Sequence, residues 1–195
     1  MQFEKAKSYI LDRLQRELPE HLSYHSIWHT KDVYNSAEVL AAAEHISDAD
    51  LNLLLTACLF HDCGFLQQQK NHEQISCEIA RNTLPDFEYT SDEIEKICGM
   101  IQATKIPQEP HNLLEQIICD ADLDYLGRDD FFSIGNKLYE ELMVYGYISN
   151  DKEWDELQIR FLESHHYFTQ TANSKRKAQK EAYLTFIKAR YDNKD

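Results

Sequence analysis

An all-α fold is predicted for this chain by two features of its sequence. Only five Gly and four Pro occur in 195 residues, too few to supply the tight turns that strands require. Apolar residues also recur at three- and four-residue steps rather than alternating, which is the period of amphipathic helices. The length suits one sizeable core and is short for two, so residues 1–195 are read as a single helical domain. Hydrophobic residues make up 43% and charged residues 28%, a balance typical of globular proteins.

The helices can be placed in order. Residues 3 to about 18 form the first, with Pro19 just beyond its end, and the polar-aromatic connection His21-Leu-Ser-Tyr-His25-Ser-Ile-Trp-His29 follows. Thr30 to His45 carries Val33, Ala37, Leu40 and Ala41 on one side. Asp48 is positioned to cap the next helix, which runs through Leu51–Phe60 to His61-Asp62-Cys63 and is expected to end at Gly64. A glutamine-rich loop leads to a helix from His72 to Leu84, stopped by Pro85. Thr90-Ser-Asp-Glu93 offers a capping box for a helix to about Thr104. Pro107 and Pro110 bracket a loop, and a short helix from His111 to Cys119 runs into Asp120-Ala-Asp122-Leu-Asp124. Residues 129–145, 151–170 and 173–191 complete the helices.

Charge and cysteine usage narrow the function. A net charge of −14 repels DNA or RNA over most of the surface, so no nucleic acid polymer is expected as partner. The exception is the segment from Lys175 to Arg190, with six basic residues against Glu181. Arg176 there shares a helical stripe with Tyr183 and Ile187 and is expected to point inward. No run approaches the ~18 uncharged apolar residues of a membrane span, and no export signal is evident near Met1, so a cytoplasmic protein is expected. Five cysteines without a Cys-x-x-Cys argue against disulfides or a thiolate zinc site.

His61-Asp62 carries most of the functional information. Nine His and sixteen Asp give about 0.7 such pairs by chance, so the dipeptide alone says little. Its position says more, because it interrupts the most apolar stretch of the chain, where an imidazole and a carboxylate must be hydrogen-bonded, paired or ligating a cation. His29 and an Asp from 120 to 124 also lie at helix ends or turns beside apolar runs, so separate segments can converge on one point. Mixed imidazole and carboxylate donors suit a divalent transition ion.

The order His29, His61-Asp62, Asp122 resembles the HD superfamily of metal-dependent phosphohydrolases. The resemblance runs from about Tyr24 to Gly127, with Tyr24-His-Ser-Ile-Trp-His29 similar to the first-histidine segment, Leu59-Phe-His-Asp-Cys-Gly64 to the central motif and Asp120-Ala-Asp122 to the last aspartate. It implies an all-α bundle with the helices of 129–191 packed on the same core, and His29, His61, Asp62 and Asp122 as metal ligands, Asp120 being the alternative to Asp122. Two-metal relatives carry two further histidines. His72 fits the first, and the segment Met100–Ile106 lacks the second, leaving His111 as a substitute, so one divalent ion is expected, with Mn, Co, Ni, Fe, Zn and Mg undistinguished.

The implied activity is hydrolysis of a nucleotide or other small phosphorylated metabolite by metal-activated water. Asp62 and Glu73 are candidates for accepting its proton, and His72 for protonating the leaving oxygen. Lys105, Arg128 and Arg176 are candidate phosphate contacts, His25 is a candidate pocket residue, and His165-His166 a candidate cleft lining. The alternative is a non-catalytic metal- or nucleotide-binding module on the same fold.

Overall fold

The computed structural model describes residues 1–193, so Lys194 and Asp195 of the 1–195 reading lie outside the described residues. These residues form α-helices joined by short turns, with no strand among them. In chain order the helices are α1 (Phe3–Glu17), α2 (Ile27–Ala43), α3 (Asp48–Phe60), α4 (His72–Thr83), α5 (Ser91–Ala103), α6 (Leu113–Asp122), α7 (Phe131–Val144), α8 (Asp151–Ser164) and α9 (Gln170–Asp192). Tight 3-10 turns occupy Cys63–Leu66, Leu84–Phe87 and Asp124–Gly127.

The centre of the fold is α3. Every residue from Leu53 to Phe60 is buried, so this part of the helix has no solvent face and must be enclosed on all sides. Helices α1, α2, α4, α5 and α6 all pack against it. The stretch Asp48–Leu66 reaches the length and mean hydropathy of a membrane span, but it contains Asp48, Asp50 and Asp62 and 72% of its apolar window is buried within the protein. It is the core helix. The five cysteines are free and buried, as small apolar residues of that core.

A second apolar cluster gathers Tyr24, Leu123, Tyr125, Leu126, Phe131, Leu162 and Ile187. It joins the turn after α6 to α7, α8 and α9, and α8 and α9 pack on each other. Gly127 permits the close approach of α9, because a Cβ there would lie 2.4 Å from the backbone oxygen of Arg176.

Several boundaries differ from the sequence reading for identifiable reasons. The cap of α3 is Ser47, whose hydroxyl accepts the Asp50 amide at 3.2 Å, while Asp48 lies inside the first turn. The Thr90/Glu93 capping box is present as expected. Helix α6 begins later, at Leu113, because the Asn112 side chain accepts from the Glu115 amide, and it continues through Asp122. Helix α8 ends at Ser164 rather than about 170. Buried Asp120 takes the amides of Phe168 and Thr169, both at 2.8 Å, and Thr169 caps α9. The chain therefore turns where a continuous polar helix pattern gave no warning.

Gly64 does not end a helix through a left-handed backbone. It lies buried in the turn after α3, and a Cβ there would stand 2.0 Å from the backbone oxygen of His72. Its lack of a side chain lets the start of α4 press against the end of α3. Gly64→Ala is expected to lower stability by about 2 kcal/mol or more, measured by urea denaturation.

At the α8–α9 junction, Lys180 donates to the backbone oxygens of Leu162 and His165. Burial, reinforced by the Lys180 charge, holds the His165 imidazole down at about 3, and its Nε2 is buried without a partner. The ring is neutral when folded but takes a proton near 6.5 when unfolded. The unfolded chain thus binds more protons between these values, and this group's contribution is fully present above about pH 6.5 and lost as pH falls towards 3. The denaturation midpoint should fall less over that range in His165→Asn than in the native sequence.

Candidate metal centre

Four side chains from three helix ends meet beside α3. His29 lies in the first turn of α2, His61 and Asp62 directly follow α3, and Asp122 is the last residue of α6. The Nε2 atoms of His29 and His61 are 3.3 Å apart. Asp122 Oδ1 lies 3.1 Å from His29 Nε2 and 3.5 Å from His61 Nε2, and Asp62 Oδ2 lies 3.3 Å and 3.1 Å from the same atoms. Donor atoms of His29, His61 and Asp122 all fall within 4.8 Å of one another.

The protonation pattern turns these donors towards one another. His61 Nδ1 donates to the Cys58 carbonyl at 2.8 Å, which in the neutral ring leaves the Nε2 lone pair facing the cluster. Asp62 Oδ2 is buried and accepts no hydrogen bond, despite two imidazole nitrogens within 3.3 Å. An orphaned buried carboxylate oxygen beside converging imidazole nitrogens is the environment of a cation ligand. The donors fit a divalent transition ion. The two carboxylates favour positive charge at this point: burial opposes charge on His29, but Asp122 and Asp62 outweigh it and lift the ring to about 9. Burial likewise opposes ionisation of Asp122, yet the two imidazoles hold it at about 2.

Further groups flank this cluster. His72, at the start of α4, donates from Nδ1 to the Gln69 carbonyl at 3.0 Å and places Nε2 3.4 Å from Asp62 Oδ1 and 3.5 Å from Glu73 Oε1. Burial opposes protonation of His72, but the bond to Asp62 prevails and raises its pKa. His25 stacks on Phe65 with ring centroids 4.2 Å apart. Its Nδ1 bonds Glu141 of α7, and Glu141 Oε2 also accepts the amides of Tyr24 and His25 at 2.9 and 3.0 Å. Sequence reading missed Glu141. A signal existed, since this acid shares the apolar stripe of Ile134, Leu138 and Leu142, where a charge needs a partner.

Other expected residues are placed elsewhere. Asp120 is fully buried against the start of α9, as described above, with burial lifting its carboxyl to about 6 against its backbone donors. Arg176 does point inward, but it forms a bidentate pair with buried Asp124 at 2.7 and 3.0 Å. Arg128 spans Asp32 and Asp130 at 2.7–3.0 Å. Both expected phosphate contacts are thus held by carboxylates outside the cluster. Lys105 is exposed on the surface between Thr104 and Ile106. His111 is exposed, its amide bonds Glu115, and it is not among the residues that line the cavity beside the cluster. His165 and His166 line pockets at the α8–α9 junction.

The cluster opens into a cavity of about 220 Å³. His25, His29, Asp62, His72, Glu73 and Asp122 form its polar end, and residues of α7 and α8 its far wall.

A family model described as HD domain matches residues 27–124, which span every one of the cluster residues. The chain belongs to the HD-domain family. Among solved structures, this HD domain is similar to a predicted HD superfamily hydrolase from an uncultured Thermotogales bacterium, at 18% identity and a TM-score of 0.64, over 96% of this chain and 92% of that one. It is also similar to a protein of Lactobacillus plantarum, at 18% identity and a TM-score of 0.68, over 98% and 97% of the two chains. At this identity the likeness is one of fold. Comparison with curated proteins found no match.

Asp120 and Asp122 can be told apart by substitution. Asp122→Asn should weaken Mn or Zn binding at least about tenfold, read by equilibrium dialysis. Asp120→Asn should leave that titration unchanged while lowering stability by about 1–3 kcal/mol. Equal losses of metal in both would contradict the geometry.

Proposed function

We propose that this HD domain is a phosphohydrolase dependent on one divalent ion, acting on a nucleotide or other small phosphorylated metabolite. The observation that carries this reading is the Asp62 oxygen without a hydrogen bond, set beside His29, His61 and Asp122 where the cluster borders a cavity. These four residues would hold the ion. When bound, it would supply a Lewis acid for a phosphoryl oxygen and lower the pKa of a water molecule.

The chain's own groups then divide the proton work. Asp62 Oδ1 and the buried carboxylate of Glu73 each lie within 3.5 Å of His72 Nε2 and are the acceptors for the proton released by an attacking water. His72, its pKa raised by Asp62, is the donor to the leaving oxygen, and its Nδ1 bond to Gln69 fixes the ring for that task. His25, held by Glu141, lines the same cavity. With Arg128 and Arg176 committed to carboxylates, substrate charge is met at the cluster. The acidic surface disfavours polymeric nucleic acid as substrate.

Metal analysis followed by phosphate release from a broad phosphorylated panel, with Mn, Co, Ni, Zn or Mg, tests the proposal. The expected result is turnover that Asp62→Ala abolishes and that His72→Ala reduces about 10²–10⁴-fold in kcat. No turnover in any metal-loaded form would leave a non-catalytic binding module. More than about 1.5 equivalents of metal per chain would overturn the single-ion assignment.

A further inference from the structure

The cavity beyond the cluster carries information about what is hydrolysed. Its far wall is built by Phe131 and Leu138 of α7 with Trp154, Leu157 and Phe161 of α8, and the one amide on that wall is Gln158. All lie past residue 124, where the family match ends. The wall is therefore a feature of this chain outside the matched segment.

No Lys or Arg lines this cavity among the described residues, whereas three carboxylates do: Asp62, Glu73 and Asp122. A single divalent ion offsets two of those three charges. A chain of several phosphates would thus add multiple negative charges to a site whose positive charge beyond that ion is limited to the His72 proton donor. Lys105 lies in the chain between the lining residues Thr104 and Ile106 but is exposed and is not itself part of the lining, while Arg128 and Lys137 line a separate pocket that shares Tyr24 and His29 with this one, and Arg128 is paired there. An apolar cavity of about 150 Å³ accommodates benzene, so 220 Å³ holds a ring together with one phosphoryl group.

We infer that the substrate carries a single phosphoryl group on an uncharged, ring-bearing body, seated between α7 and α8, and that polyphosphates are rejected. The substrate assignment rests on the phosphohydrolase reading. The preference for a ring over a polyphosphate rests on the cavity alone. A monoester and a diester share the required chemistry, and turnover separates them.

The two tryptophans provide the readout. Trp28 is 69% exposed and Trp154 lines the cavity, so Trp28→Phe leaves emission reporting on the wall. The metal-loaded protein is titrated with phenylphosphonate, methylphosphonate and tripolyphosphate. Phenylphosphonate should bind at least about tenfold tighter than either of the others, and Leu157→Glu should erase that preference. Phenyl phosphate, a cyclic nucleoside diester and tripolyphosphate are then compared as substrates. Turnover of either ring ester above tripolyphosphate supports the inference. Tripolyphosphate binding or reacting as well as the ring compounds overturns it, whatever the rate. Ring-selective binding without turnover of any ester overturns the phosphohydrolase reading and leaves the selectivity of the cavity standing.

Discussion

The enclosure of α3 is the constraint on which the rest of the structure depends. A helix without a solvent face must be wrapped by its neighbours, and the wrapping brings the start of α2 and the end of α6 to its C-terminal end. Helix ends are where backbone turns can aim side chains without breaking a hydrogen-bond ladder. The burial of Leu53–Phe60 and the convergence of His29, His61, Asp62 and Asp122 are thus two aspects of one packing arrangement. Gly64 extends it, allowing α4 close enough to bring His72 to Asp62.

Around this centre the chain uses buried carboxylates as anchors. Glu141 fixes the segment of Tyr24 and His25, Asp124 holds Arg176, and Asp120 holds the start of α9. Each acid is satisfied by a backbone donor or a guanidinium, as buried charge requires. Each also ties the helical region containing the cluster to a segment remote in sequence. The supports of the His/Asp cluster therefore extend well past the segment that the family model matches.

Much of this was legible in the sequence, and the reasons are physical. Period, caps and proline stops located most helices because those signals are local. The His29, His61-Asp62 and Asp122 order was legible because polar groups beside apolar runs announce themselves. The end of α8 was not, because the cause is Asp120, nearly fifty residues upstream. The partners of Arg128 and Arg176 were equally hidden, since a basic residue on an inward stripe looks the same whether a carboxylate or a substrate awaits it. Glu141 lay in view on an apolar stripe, but its ligand, the segment at 24–25, is fixed only by tertiary packing.

Asp120 and Asp122 sit two residues apart in the last turn of α6, about 200° around the helix axis from each other. One grips the amides at the start of α9 and the other faces the imidazoles of α2 and α3. A small rotation of α6 would strain both attachments together. The orientation of this last turn about its own axis is therefore set from two sides at once, by the cluster and by the start of the C-terminal helix.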